Sequence, residues 1–520
     1  MLRASYAPML SEQDQLIFDT LVPADHYLRQ VNAVVDFERY RAPMACCYHA
    51  TDGRPADDPV VLLKLGFLQT HYYLSDREVI AAAQVNVAFR YFLNLALTDA
   101  LPHPSLLTVF RARLGEDLYQ QIFDGVVSQA RAAGLVKDRL RLKDATPVIA
   151  NIAIPSTIRL IAQMRQRLLA TSEPFAGDQV AAERAHALAI RTATTDLSDE
   201  ERLLAHLTHL RQIVAWADQL STELERLQEH GAPARHAFAD ALALAHQILA
   251  DRDNPDGGDQ VVSVHDPEAR RGKHGAYFTG YLLDVTLDAD SQIITALDVL
   301  PANADEAADA TALIRHEETT HGNDSQTLSI DKAGFRGELL REWQNPDALG
   351  LEVVVPPLKV EPRPYFTAQD FTFDAGAKTL TCPGGVSTQR RTRNRVDTGW
   401  KYTFPHEHCA TCPLQARCLK HLAKANGRIV VVNNYAAEYT AARQKATTPG
   451  YRQVRREHPA IERKLAEIIC QHDGRWARYR GRARNRIQYL LTGLVVNVKR
   501  MVRLLLRPPH APAVAPPPTR

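Results

Sequence analysis

Three acidic residues stand at positions from which side chains of separate elements could meet. Asp331 follows the alternating apolar run of residues 327–330, so a short buried strand is predicted to present its carboxylate. Asp144 closes a similar alternating run in residues 138–144, and Glu462 lies beside the apolar stripe of a predicted helix. Open α/β sheets carry their chemistry at the carboxyl ends of strands, and carboxylates gathered there can hold divalent cations.

Each acid alone also has an ordinary structural interpretation. A single aspartate such as Asp144 is more often a turn or capping residue than a ligand. Glu462 in isolation is more often a solvated helix acid, since the neighbouring Ile461 and Leu465 belong to the stripe that would be buried. The chemical interpretation therefore requires further signals that bring the three acids together.

The cysteines form a second candidate site. Four of the seven cluster late in the chain: Cys382, Cys409, Cys412 and Cys418. The C-x2-C element formed by two of them is typical of a tetrahedral structural Zn²⁺ site, with His406 and His408 as alternative ligands. Four reduced cysteines without a metal are the alternative state.

The segment HEETTH at residues 316–321 looks like the zinc-protease motif HExxH but departs from its spacing. The second histidine follows the first by five residues rather than four, so a helix would turn the two rings to different faces. Zinc binding by His316 and His321 is therefore not expected.

Composition sets broad limits. The chain has 520 residues, 45% of them apolar and 23% charged, which predicts a soluble globular protein of two to four structural units. The net charge of +2 implies no partner by itself. The N-terminus has no apolar signal segment, and charged residues interrupt the apolar stretch at 487–506, so a cytoplasmic protein without membrane contact is expected.

The N-terminal third predicts short helices joined by tight turns. Residues 75–78 form a capping-box pattern, and a further helix is predicted to begin near Ser105 and to stop at Gly115. Arginines among these helices, including Arg111 and Arg113, suit a helix-turn-helix-like DNA-binding unit. A plain helical bundle with solvated arginines is the alternative.

Strand and helix patterns alternate over residues 138–360. A strand that ends at Asp144 is followed by a helical insert in residues 155–258, whose apolar residues recur at spacings of three and four. Strands are predicted in residues 260–300, then a helix and two more strands. This order predicts an α/β core with a mixed sheet.

Residues 471–507 are strongly basic and carry interleaved aromatic residues. Six arginines stand at positions 475–486 against one acid, Asp473, and such a stretch is typical of a phosphate-contacting surface. The proline-rich tail that follows is expected to be disordered.

Taken together, these segments resemble the D-D-E transposases of bacterial insertion sequences, with an InsH-like layout. The N-terminal match is GRPADDPVVLLKL, LSDREV, NVAFRYFLNL and HPSLLTVFRARLG. The core match is DATPVIAN, DPEARRGKHGAYFTGYLLDVTLD, LPANADEA and IDKAGF, and the C-terminal match is IERKLAEI followed by RWARYRGRARNRIQYLLTGLVVNVKRM. The order and spacing of these motifs, over about residues 50–505, carry the resemblance.

The resemblance implies an α/β fold with an RNase H-like mixed-sheet catalytic core. A helical insertion and a Cys-rich insertion would interrupt this core, and an all-α domain would precede it. The implied domains are a helical N-terminal DNA-binding domain at 1–135, the core at 136–154 and 259–360, the helical insertion at 155–258, a zinc-knuckle-like Cys-rich insertion at 361–435, the glutamate helix with basic C-terminal helices at 436–507, and a disordered tail at 508–520.

The resemblance also implies a catalytic triad of Asp144, Asp331 and Glu462 that would hold two Mg²⁺ ions, or Mn²⁺. These acids would support cleavage of double-stranded DNA at transposon ends and transfer of the freed strand to target DNA. A homodimer on paired ends and a cytoplasmic, nucleoid-associated location are expected. The predicted DNA-contacting residues are Arg111, Arg113, Lys332, Arg455, Arg456, Arg475, Arg478, Arg480 and Arg482.

Two other functions stay open at this point. The chain could be an inactive or domesticated derivative that binds DNA ends, or an RNase H-fold nuclease that cuts without joining. Magnesium-dependent cleavage separates the first alternative from a transposase, and strand-transfer products separate the second.

Overall fold

The structure is a computed structural model, which describes residues 6, 10–49, 52–227, 232–254, 257–358, 364–374, 376–394, 399–419 and 427–506. The chain divides into two compact units. The first consists of Met1–Lys137, Ala145–Glu306 and Glu462–Arg520, and the second of Asp138–Asp144 and Ala307–Ile461. The predicted disordered tail lies outside the described residues.

The first unit begins with seven helices. Helix α4 is buried over its whole circumference up to Gln69, so it forms the centre of this helical part. Pro59 and the carboxylate of Asp58, which accepts from the Val60 amide, fix its first turn. The seven are α1 (Glu12–Leu21), α2 (Tyr27–Val34), α3 (Arg41–Ala45), α4 (Pro59–His71), α5 (Asp76–Val85), α6 (Val87–Leu93) and α7 (Ser105–Ala132).

Two local predictions for these helices can be compared with the structure. Ser75 and Glu78 form the expected capping box at the start of α5. Helix α7 begins at Ser105 as predicted, and Gly115 breaks its geometry with a φ of 66°, which glycine adopts without a side-chain clash. The prediction that the helix stops there is confirmed, because Gly115 has non-helical backbone angles, and a second helical segment follows it up to Ala132.

Four helices follow β1 and pack on one another around a shared apolar core. They are α8 (Thr157–Ser172), α9 (Gly177–Ala193), α10 (Asp199–Leu227) and α11 (Ala232–Asp253). The core includes Met164, Ile213 and Ala245, which are fully or almost fully buried. Ser198 and Glu201 exchange capping hydrogen bonds at the start of α10.

The rest of the first unit combines an antiparallel hairpin and meander with the C-terminal helices. Strands β2 (Arg270–His274), β3 (Ala276–Asp288) and β4 (Ile294–Pro301) pair antiparallel in that order. Helix α18 (Pro459–His472) contributes its residues from Glu462 onward, and α19 (Arg482–Leu506) packs against α2, α4, α7 and β4. The Asn497 amide bonds both the N–H and the carbonyl of Ile294, which anchors α19 on β4.

The second unit contains a parallel arrangement of strands. Strand β1 (Arg141–Ile149) contributes its first four residues here and the remainder to the first unit. These residues pair in parallel with β5 (Thr327–Ser329), which pairs in parallel with β6 (Glu352–Val354). Helices α12 (Glu306–His321) and α13 (Gly337–Gln344) accompany them. Parallel and antiparallel pairing together confirm the predicted mixed α/β class.

The remaining elements of the second unit are short. Two small antiparallel sheets, β7-β8-β9 and β10-β11-β12, surround the cysteines. Their bounds are β7 (Thr372–Asp374), β8 (Thr379–Thr381), β9 (Ser387–Thr388), β10 (Arg391–Asn394), β11 (Gly399–Thr403) and β12 (Ile429–Asn433), and the accompanying helices are α14 (His406–Ala410), α15 (Gln415–Cys418), α16 (Ala436–Lys445) and α17 (Pro449–Glu457).

Strand β1 corrects one expectation. Asp144 was expected at the end of its strand, but it is the fourth of nine residues. The strand continues because Ile149 exchanges backbone hydrogen bonds with Arg475 and Ala477, and the Ala150 amide donates to Thr279. Asp144 therefore lies within an ordered backbone on both sides.

Candidate catalytic and nucleic-acid-binding site

The two predicted aspartates of the second unit lie on neighbouring parallel strands. Leu142 of β1 pairs with Ser329 of β5. Continuing this register by two residues on each strand brings Asp144 opposite Asp331, and residues paired in this way direct their side chains to the same face of a sheet. Both residues are half-buried. Each aspartate lies two residues beyond this pair, so the meeting of the two carboxylates, which are 187 residues apart in the sequence, stays a prediction.

The backbone after β5 fixes the orientation of Asp331. Its carboxylate accepts a hydrogen bond of 2.8 Å from the Ala333 amide and caps a single 3₁₀ turn, Lys332–Gly334. A Cβ atom on Gly334 would lie 2.6 Å from the side chain of Ile330, so a larger residue would displace the turn. One carboxylate oxygen is thereby held by the chain.

Strand β1 is anchored by an ion pair inside the second unit. The guanidinium of Arg141 donates to Glu317 at 2.6 Å and to Asp138 at 2.9 Å, and the side chains of Arg141 and Glu317 are completely buried. Glu317, the first acid of the HEETTH segment, therefore ties α12 to the strand that carries Asp144. No metal-binding role is needed to explain it.

The end of α17 is attached to β5 beside Asp331. His458 Nδ1 lies 3.0 Å from Ser329 Oγ, and Arg455 donates to the carbonyl of Ile330 at 3.0 Å. His458 is 2% exposed, and burial together with the nearby Arg455 lowers its pKa to about 4. The sequence did not reveal this positioning role, although Arg455 and His458 stand seven and four positions before Glu462.

Glu462 lies on the exposed side of α18, four residues after His458. The stripe predicted beside it is buried, with Ile461 fully buried and Leu465 and Ile468 almost fully so. Glu462 belongs to the first unit, and its convergence with the two aspartates stays a prediction.

The N-terminal arginines differ in their surroundings. Arg111 is buried and donates to Asp76 at 2.5 Å and to Gln69 at 3.3 Å, which ties α7 to α5 and α4. This arrangement weighs against a phosphate-binding role for Arg111. Arg113 is exposed, and its guanidinium lies 4.5 Å from the centre of the Tyr48 ring.

Three of the predicted DNA-contacting arginines near the C-terminus contact groups of the first unit through their side chains, and Arg482 does so through its backbone amide. Those contacts fix the segment between α18 and α19, and they leave Arg480 largely exposed. Lys332 and Arg456 of the second unit are also exposed. The contacts are Arg475 with the Pro147 carbonyl at 2.7 Å, Arg478 with the Leu74 carbonyl at 2.8 Å, Arg480 with the Asn151 carbonyl at 3.3 Å, and the Arg482 amide with Glu268 at 2.8 Å.

The four clustered cysteines line one cavity, together with His408. Glycines leave room for the sulfur atoms: a Cβ on Gly427 would lie 2.5 Å from Cys409 Sγ, which also accepts the Arg428 amide. Burial and the neighbouring thiols raise the pKa of Cys418. Among the described residues, no three of these sulfurs lie within 4.8 Å of one another, so a bound zinc would draw them closer.

One other group was not found from the sequence. Glu183 and His186 of α9 and His209 of α10 have ligand atoms within 4.8 Å of one another. Arg165 lies 3.0 Å from Nδ1 of His209 and can only donate, so Nε2 carries the proton given to Glu183 at 2.9 Å. A metal-bound histidine needs an acceptor at its other nitrogen, and this group is therefore a packing network rather than a metal site.

Two family models match the chain. One is described as a transposase domain (DUF772) and matches residues 16–113, and the other as a transposase DDE domain and matches residues 381–502. Together these matches support an insertion-sequence DDE transposase. The first match runs from within α1 to the start of α7, and the second covers the four clustered cysteines, Glu462 and most of α19.

Two further comparisons found no relatives of this chain. Neither a curated protein nor a solved structure matches it. No helix among the described residues has the length and apolar character needed to cross a membrane.

Proposed function

We propose that this transposase cuts and joins DNA with Asp144, Asp331 and Glu462 on an RNase H-like core. The observation that carries the proposal is the register of β1 and β5, because its continuation by two residues on each strand would put the two aspartates on one face of adjacent strands. An antiparallel β2-β3-β4 arrangement and parallel β5 and β6 are the strand directions expected of such a core. The domain boundaries given above are part of this proposal.

The chain path supports Glu462 as the third acid. His458 and Arg455 fix the end of α17 at Ser329 and Ile330, directly before Asp331. Glu462 follows His458 by only four residues, and its side chain is exposed.

The donor set suits magnesium or manganese. Carboxylate oxygens are the hard ligands that Mg²⁺ prefers, and Asp144, Asp331 and Glu462 would hold the two ions. When bound, such ions would supply activation of the attacking oxygen and stabilisation of the leaving oxygen. The ordered backbone around Asp144 and the capped turn at Asp331 would hold these ligands in place.

The remaining residues would position the DNA. Lys332 and Arg456 are exposed near the acids in the sequence and would bind the phosphate under attack, while Arg113, Arg480 and Arg482 would contact the backbone elsewhere. Water would attack at the transposon end and release a 3′-hydroxyl. That hydroxyl would attack a phosphodiester of the target DNA, so that one phosphodiester bond forms as another breaks. The protein would act as a homodimer that holds paired transposon ends, and it would be located near the nucleoid.

The cysteine cavity would hold a structural Zn²⁺. Thiolates from Cys382, Cys409, Cys412 and Cys418 make a complete tetrahedral set, and the space left by Gly427 suits the sulfur atoms. The zinc would stabilise the two small sheets, which otherwise share only a small apolar core.

The products formed by the wild-type protein test this function. Linear DNA carrying the flanks of the reading frame, supercoiled plasmid and Mg²⁺ are incubated together, and joined molecules are expected. Cleavage without joining would indicate a nuclease, and binding without cleavage would indicate an inactive derivative. Either outcome would contradict the proposal.

A further inference from the structure

The β2–β3 hairpin carries a basic, aromatic face that the proposed active site does not use. Strand β2 ends at His274 and β3 begins at Ala276, so the turn contains only Gly275, whose φ of 73° suits glycine. Residues 269–280 include no acid. The tip is therefore a short, tightly turned projection with positive charge.

The pairing register sorts the side chains onto two faces. Arg271 pairs with Thr279 and Lys273 with Tyr277, so these four share one face, because alternate residues point to the same side. Gly272 lies on the other face, where a Cβ atom would come 2.1 Å from the carbonyl oxygen of Ala302. This close approach fixes the glycine side inward and the basic side outward.

The outward face combines two cations with one open ring. The Arg271 guanidinium lies 4.9 Å and the Lys273 ammonium 5.3 Å from the centre of the Tyr277 ring. Tyr277 is nevertheless 66% exposed, more than any other tyrosine among the exposed large side chains of the described residues. The open ring and its two cations match the chemistry of a base with its phosphates, because a base can stack on the ring while the cations contact the phosphates.

We propose that this face stacks an unpaired base at a transposon end, with Tyr277 under the base and Arg271 and Lys273 on the flanking phosphates. The inference rests on the proposed function, because strand cleavage creates DNA ends that can fray. Paired DNA exposes its phosphates, but the faces of its bases are stacked on one another. A duplex would therefore contact Arg271 and Lys273 and make no stacking contact with Tyr277. The ring thus selects for an unpaired strand.

The test compares a fluorescent duplex that has a short unpaired 3′ arm with a blunt duplex of the same paired sequence. Binding is measured in EDTA, so that no cleavage occurs. Tyr277→Ala is expected to weaken binding of the armed duplex about tenfold and to leave the blunt duplex unaffected. Tyr277→Phe keeps the ring face and is expected to bind as the wild type does.

The cations are tested by the salt dependence of binding. Replacing Arg271 and Lys273 with alanine is expected to lower the slope of log K against log salt by about 1.5, since two phosphate contacts are lost. Arg202→Ala combined with Arg211→Ala removes the same charge from α10 and is expected to leave the slope unchanged. Unaltered blunt-duplex binding by Tyr277→Ala shows that this variant is folded.

The inference is overturned if Tyr277→Ala binds the armed duplex as tightly as the wild type, or weakens both duplexes equally. Failure of the proposed function looks different, because the wild-type protein would then produce neither cleaved nor joined DNA with Mg²⁺. A wild type that cuts and joins while Tyr277→Ala keeps full affinity for the arm would refute the hairpin proposal alone.

Discussion

At the scale of single residues, His458 shows how a helper group can be hidden from sequence reasoning. The sequence places it four residues before a candidate acid, but nothing in the sequence states that β5 offers it a partner. The structure supplies that partner as the Ser329 hydroxyl, 3.0 Å away, with Arg455 on the adjacent carbonyl. Removal of water around the ring makes it a neutral histidine, and that neutrality has a measurable consequence.

Stability is expected to fall as the pH drops from about 6.5 to about 4. In this window the unfolded chain binds a proton at His458 and the folded chain does not, because burial lowers the pKa of His458 in the folded state to about 4. His458 alone is expected to contribute roughly 3 kcal/mol to this loss of unfolding free energy. Urea unfolding in EDTA across this range measures it.

His458→Gln is expected to make that pH dependence shallower, since the titrating group is gone. Glutamine at the exposed position His236 serves as the control and is expected to leave the dependence as it is in the wild type. An equally steep dependence in His458→Gln would show that other groups cause it.

At the scale of elements, local signals predicted starts better than ends. The capping boxes at Ser75 and Ser198 were predictable because each depends on a side chain three residues away. The end of β1 was not, because Ile149 is held by residues 475 and 477, more than three hundred positions later. The stop at Gly115 was predictable from the glycine, whereas the second segment of α7, which reaches Ala132, was not.

The same reasoning explains Arg141, whose role depends on an acid 176 residues away. Arg141→Met is expected to destabilise the protein by about 3–5 kcal/mol, because Glu317 would be left as a buried charge without its partner. Combining it with Glu317→Met is expected to restore most of the stability, since both charges are then gone. Unfolding in denaturant measures both variants.

The exposed pair Arg184 and Glu173 provides a matched control. It has the same charges and a distance of 2.8 Å, and Arg184→Met is expected to leave the stability almost unchanged, because both side chains are about half exposed. A double variant of Arg141 and Glu317 as unstable as Arg141→Met would contradict this account of the buried pair.

At the scale of the whole molecule, the order of motifs carried more information than any one of them. The mixed α/β class and the transposase family followed from that order, and the family matches at residues 16–113 and 381–502 agree with it. The parallel pairing of β1, which carries Asp144, with β5, which precedes Asp331, could be expected only through the family resemblance. Two units built from interleaved segments cannot be read from local patterns, because the contacts that define them are distant in sequence.

The cavity lined by the four clustered cysteines predicts that the whole protein contains bound zinc. Purified protein is expected to contain stoichiometric zinc and to melt at a lower temperature after treatment with a strong chelator. Cys412→Ser is expected to lose the zinc, whereas Cys470→Ser, outside the cavity, keeps it. Zinc-free wild-type protein with an unchanged melting temperature would indicate four reduced cysteines without a metal.

The central claim is that three acids distant in sequence act at one site. It is tested most directly by Mg²⁺-dependent cleavage of a transposon end by Asp144→Asn, Asp331→Asn and Glu462→Gln, with exposed Asp347→Asn as the control. Each of the three variants is expected to bind DNA normally and to lose cleavage by at least about a hundredfold, while the control cuts as the wild type does. Undiminished cutting by any of the three would remove that residue from the site.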